Sequence, residues 1–142
     1  RLGRAEPDDE ATLEAFLTAF FRETDPTDEA PNRKARAVLQ RLAPMGRVYT
    51  WRDRDGHLVS TVSVVRETPD GASISLVYTP PEHRGCGHAS RAVASLSQRI
   101  LDGGRSRCNL YTDLANPTSN AIYPRVGYRA LDERWAHHFT AP

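Results

Sequence analysis

The residues with the clearest chemical potential are Arg84-Gly85-Cys86-Gly87-His88-Ala89, which follow a strand-like run and lead straight into a helical pattern. The first N–H groups of a helix have no partner inside it and lie at the positive end of its dipole. Glycines just before them let the chain bend and bring further N–H groups close to an anion. This segment therefore predicts a cradle for a phosphate or diphosphate, with Arg84 adding charge. It is not a nucleotide P-loop, because the Gly-Lys-Ser/Thr ending is absent. It also fails the dinucleotide fingerprint, since Ser90 stands where the third glycine should be. A plain strand-to-helix turn with glycines for steric reasons accounts for the same residues.

Other reactive side chains are scattered. Cys86 sits where a helix N-terminus could lower a thiol pKa, although a small residue tolerated in a loop explains it more simply. Glu67, Glu82 and Asp113 lie near strand ends and are candidate bases, but none is assigned. Asp25, Asp28 and Glu29 make one loop acidic, which suits a cationic ligand and suits solvent equally well. Cys86 and Cys108 form no metal spacing with the five histidines, and neighbouring His137 and His138 would point to opposite faces of a strand. No metal site is expected.

The elements that must position these groups follow from periodicity. Pro7, Asp8 and Asp9 signal a helix start, and Leu13, Phe16, Leu17, Phe20 and Phe21 then form one apolar stripe. After a polar loop from Thr24 to Pro31, Asn32 is expected to cap a second helix bearing Ala35, Val38, Leu39 and Leu42. Val48 to Trp51, Leu58 to Val65 and Ser73 to Thr79 read as strands joined by Asp-Gly turns, an antiparallel meander. On the third of these, Ile74, Leu76 and Tyr78 are expected on one face, with Ser75, Val77 and Thr79 on the other. Pro80-Pro81 ends the meander. A helix follows from Ala89 to Ile100, then a strand from Arg107 to Asp113. Asn116 and Pro117 cap and open a short helix, and Trp135 to Thr140 suits a last strand.

The expected order is β-α-α-β-β-β-α-β-α-β: a single α+β domain over residues 1–142, with a mixed, mostly antiparallel central sheet flanked by helices. The chain begins with Arg1 rather than Met, which leaves room for missing N-terminal sequence. With 39% hydrophobic residues and a net charge of +1, it is neither disordered nor strongly basic. Of its 19 basic residues only Lys34 is a lysine, and the arginines form no stripe, so no nucleic-acid partner is expected. No apolar run approaches the roughly 20 residues that cross a bilayer, so no membrane partner is expected either. Two cysteines make no disulfide framework, and a reducing, cytoplasmic location is the default.

Taken together, two motifs resemble the GNAT superfamily of acyl-CoA-dependent N-acetyltransferases. Arg84 to Ala89 is similar to that family's Q/R-x-x-G-x-G/A signature, and Asn116…Ser119-Asn120…Tyr123-x-x-x-Gly127-Tyr128 looks like its fourth-helix motif. The Val77-Tyr78-Thr79-Pro80 lead-in and the element order agree across nearly the whole chain. The resemblance implies acetyl-CoA as co-substrate, held by Arg84, Gly85, Cys86, Gly87, His88 and Ala89 at its diphosphate. Its pantetheine arm would pair with Val77 and Thr79 where the fourth and fifth strands splay apart, with Asn116 and Ser119 on the far side. It further implies acetyl transfer to a primary amine of a small molecule or peptide, an oxyanion held by a backbone N–H near Val77, and Tyr123 as general acid. A packing role for Tyr123 remains open. Pro124 follows it inside the presumed helix, and a kink there could aim the phenol or displace it. Displacement would leave a non-catalytic acyl-CoA-binding or sensing module. Such domains are expected as monomers or homodimers, and the amine acceptor is not written in the sequence.

Overall fold

A computed structural model describes residues 1–113 and 116–131. The first strand, β1 (Leu2–Arg4), is followed by a short 3-10 turn at Pro7–Asp9, where Glu6 and Asp9 cap each other reciprocally. This turn delivers the chain into α1 (Glu10–Thr24), whose buried stripe is Leu13, Leu17, Thr18 and Phe21. The second helix, α2 (Pro31–Leu42), starts one residue before the expected cap. Ala30 is the N-cap and Pro31 takes the first turn, where its missing N–H costs nothing. Ala35, Leu39 and Leu42 of α2 pack on α1 in a common core.

The meander is present as β2 (Val48–Arg52), β3 (Leu58–Glu67) and β4 (Gly71–Tyr78). Then come α3 (His88–Asp102), β5 (Arg107–Leu110) and α4 (Pro117–Val126). The strands lie in the order β1-β2-β3-β4-β5, antiparallel except for the parallel β4–β5 pair. The helices α1 and α2 cover one face, with Leu13, Leu17, Leu42, Val48 and Leu76 in its core. On the opposite face α3 and α4 enclose Val62, Val64, Ile74, Ala92, Val93 and Leu96. Each fully buried leucine, isoleucine or valine contributes roughly 1.5–3 kcal/mol through loss of water contact. The expected last strand from Trp135 to Thr140, with His137 and His138, lies outside the described residues.

Two departures from simple alternation shape the middle of the sheet. Thr61 pairs with Tyr78 and Ser63 with Ser75, so two steps on β3 face three on β4. The extra residue is a β-bulge, and Leu76 occupies it in left-handed backbone at φ +56°. The bulge reverses the faces that alternation predicted. Ile74 belongs to the α3 core, whereas Leu76 belongs to the α1/α2 core. Tyr78 also faces α1, its ring 5.8 Å from that of Phe16, and Val77 packs on the α3 side. The second departure is length. The fifth strand ends at Leu110, three residues short of the expected Asp113, and its ladder with β4 covers Gly71 to Ile74 only.

Candidate functional site

Beyond Ile74 and Leu110 the parallel ladder stops while β4 runs on to Tyr78, so the two strands part at the end that leads to the glycine turn. Leu76 and Val77 have no register partner in either β3 or β5. On the β5 side their main-chain groups thus lie beyond the ladder, an opening in the pairing of the sheet. Thr79, just past the strand, sends its hydroxyl to Ser60 Oγ at 2.9 Å, and Ser60 Oγ donates to the Tyr78 carbonyl at 2.8 Å. These buried hydroxyls satisfy groups that the interrupted ladder leaves over.

The turn after β4 has the predicted form. Pro81–His83 make one 3-10 turn, Gly85 and Gly87 have φ of +78° and +73°, and Gly87 is the N-cap of α3. Both positions lie in the left-handed region that favours glycine. The amides of Gly85 to Ala89 donate to no backbone carbonyl among the described residues; the first such bond is Arg91 N–H to Gly87 O. Arg91 also folds back to donate to the Cys86 carbonyl at 2.6 Å. His88 has its Nδ1 buried without a partner, and desolvation holds its imidazole below the ordinary histidine range. Exposed Cys86 and Arg91 and half-buried His88 line a cleft of about 960 Å³ together with Trp51, Asp53 and Asp55.

Arg84 points elsewhere. Its Nη2 makes a bidentate pair with the Glu23 carboxylate at 2.8 and 2.9 Å, and its Nε donates to the Thr79 carbonyl at 2.8 Å. Its guanidinium lies 5.6 Å from the Tyr78 ring centroid, and the Tyr78 hydroxyl reaches Glu23 at 3.2 Å. Glu23 was not among the residues singled out from the sequence. The signal for it was available: an acid in the last turn of a helix meets the negative end of the dipole and calls for a cation.

Asn116 caps α4 by accepting from Ser119 N–H at 3.1 Å. The helix runs unbroken through Pro124 and ends at Gly127. Tyr123 faces the α3 core, its ring 6.1 Å from Tyr128. Burial pushes its phenol above the ordinary tyrosine pKa, with a hydrogen bond from Ser119 opposing. Tyr128 is raised further by burial, and its hydroxyl meets Ser97 Oγ at 2.7 Å and Cys108 Sγ at 3.1 Å. Val77 and Tyr123 both pack against the α3-side core, while Asn116 and Ser119 pair with each other at the start of α4.

Residues not brought to this place are equally clear. Glu67, opposite Ala72 at the β3–β4 hairpin, is bound to Arg47 at 2.6 Å and Arg105 at 3.2 Å. In the acidic loop Asp28 pairs with Lys34, and Asp25 accepts from Thr27. Asp53, Asp55 and His57 bring ligand atoms within 4.8 Å of one another on the β2–β3 turn, but Asp53 is already accepting from the amides of Asp55 and His57.

The family of FR47-like proteins matches residues 54–136, from the β2–β3 turn through the opening and α4. The chain belongs to the FR47-like family. Its fold is that of the GNAT superfamily. It is similar to a probable acetyltransferase, with 15% identity, a TM-score of 0.78, and coverage of 100% of this chain and 98% of that one. An Arabidopsis thaliana glucosamine-6-phosphate N-acetyltransferase is similar at 14% identity and TM-score 0.72, covering 99% and 98%. A predicted acetyltransferase from Clostridium acetobutylicum, solved with acetyl-CoA, is similar at 14% identity and TM-score 0.70, covering 97% and 95%. No curated protein matches the FR47-like chain in sequence.

Proposed function

We propose that this FR47-like chain transfers an acetyl group from acetyl-CoA to a primary amine. The observation that carries the reading is the Leu76–Val77 stretch, bulged against β3, without a partner in β5, and followed directly by a glycine turn with free amides. The residues fit acetyl-CoA. A thiol-bearing arm with peptide-like amides needs strand edge to pair with, and a diphosphate needs converging N–H groups and no Cβ in the way.

When bound, acetyl-CoA supplies a thioester carbonyl activated toward amine attack. The amides from Gly85 to Ala89 hold the diphosphate, helped by the α3 dipole. Val77 and Thr79 would offer the strand edge, with the Asn116 side-chain amide and Ser119 of α4 completing the hold on the arm. A main-chain N–H at the bulge stabilises the oxygen on which negative charge develops. The Tyr123 phenol, held protonated by burial, gives its proton to the departing thiolate. That α4 continues through Pro124, so that Tyr123 keeps a helical position, supports the catalytic reading over the binding-only one.

The test is thiol release from acetyl-CoA with a panel of primary amines. Amine-dependent release is the expected result. Tight CoA binding without release for any amine class would establish a binding module instead.

A further inference from the structure

We propose that Glu23 is a positioning residue for the diphosphate turn, acting through Arg84 as a strut between α1 and the end of β4. The inference rests on the acetyl-CoA reading above and assigns Arg84 a different role from a direct phosphate ligand.

The geometry ties three parts of the chain at one point. Arg84 immediately precedes Gly85, so whatever fixes its guanidinium fixes where the row of free amides begins. Its Nε holds the carbonyl of Thr79 and its Nη2 holds both oxygens of Glu23, 61 residues away. The Tyr78 hydroxyl completes the network on Glu23. Two glycines in the next three residues make this segment entropically costly to order, so an anchor at its first residue contributes to holding it. To reach a diphosphate directly, Arg84 would have to leave a bidentate, charge-assisted pair. Keeping that pair leaves anion recognition to the main-chain amides. Both partners are about half exposed, at 46% and 47%, which sets a modest effect.

The experiment measures CoA affinity by calorimetry for the wild type, Glu23→Gln, Arg84→Gln, Arg84→Lys and the Glu23→Gln/Arg84→Gln double variant. Glu23→Gln and Arg84→Gln should each weaken binding by about two- to fivefold. The double variant should be no weaker than either single, because both remove one link. Arg84→Lys should not restore affinity, since a point charge cannot hold Glu23 and Thr79 together. Tighter or unchanged CoA binding in Glu23→Gln overturns the strut, as does full affinity in Arg84→Lys. Glu23→Gln is isosteric and carries the test alone if Arg84→Gln fails to fold. A wild type that binds no CoA would instead bring down the acetyl-CoA reading, and this inference with it.

Discussion

Replacing Gly87 by alanine separates the conformational role of the turn from its proposed role in binding. Gly87 has φ +73°, where an L-residue pays roughly 1–2 kcal/mol. A Cβ there would also meet Arg91 Nη2 at 3.3 Å, the same nitrogen that donates to the Cys86 carbonyl. Losing that bond adds about 0.5–1.5 kcal/mol. Together these give a stability loss of about 1.5–3.5 kcal/mol, read as a fall in melting temperature of roughly 5–12 °C for a chain of this size. Gly85→Ala is the control, because its φ is +78° but its Cβ would enter open space, leaving only the conformational part. Binding is read separately by calorimetry with CoA. One charge-assisted hydrogen bond to the diphosphate is worth about 1.5–3 kcal/mol, so obstructing one amide should weaken CoA by roughly ten- to a hundredfold. Reduced stability with CoA affinity intact in both variants would refute the cradle. Undiminished stability in both would refute the backbone argument.

Two further outcomes follow from the buried phenols. Tyr123→Phe should lower kcat by about 10²–10⁴-fold with little change in CoA affinity, measured by steady-state thiol release; a KM effect alone would make Tyr123 a packing residue. Burial raises the pKa of both Tyr123 and Tyr128 above the unfolded value of about 10, so above that pH the unfolded chain binds fewer protons than the folded one. The phenols' contribution to stability should therefore be constant up to about pH 10, and stability should fall beyond it in pH-dependent thermal melts. A melting temperature that holds level above pH 10 would show that these phenols ionise freely in the folded state.

The elements and the glycine turn were legible because their causes are local. Leu13, Leu17 and Phe21 repeat at helical spacing, and Pro80-Pro81 then Gly85 and Gly87 mark a strand end and a bend. The β4–β5 opening was implied only through resemblance, since strand separation depends on where β5 leaves the ladder. Its early end at Leu110 has no marker in Arg107 to Asp113, which reads as uninterrupted strand. The bulge was equally hidden. Ser73 to Thr79 alternates without a break, and an extra residue becomes visible only when β4 is counted against β3. Arg84 and Glu23 illustrate a third limit: the place of Glu23 in the last turn of α1 signals a need for a cation, but which cation answers it is decided by the fold.

Why β4 should open at Leu76 can be argued from the core. Placing a leucine in left-handed backbone costs roughly 1–2 kcal/mol, and a strained residue persists only where its surroundings hold it. Here the surroundings are two hydrophobic layers with opposite demands. Ala72 and Ile74 belong to the α3 layer, while Leu76 and Tyr78 belong to the α1/α2 side. Regular alternation would send Leu76 to the α3 layer with Ile74 and take Tyr78 away from Phe16 and Glu23. Burying Leu76 against α1 and α2 contributes roughly 1.5–3 kcal/mol, enough to offset the backbone strain. The same shift frees the Leu76–Val77 main chain from its ladder and turns Tyr78 toward Glu23, where Arg84 meets them both. The opening in the pairing of the sheet and the anchor of the glycine turn thus both follow from one displaced residue that core packing holds in place.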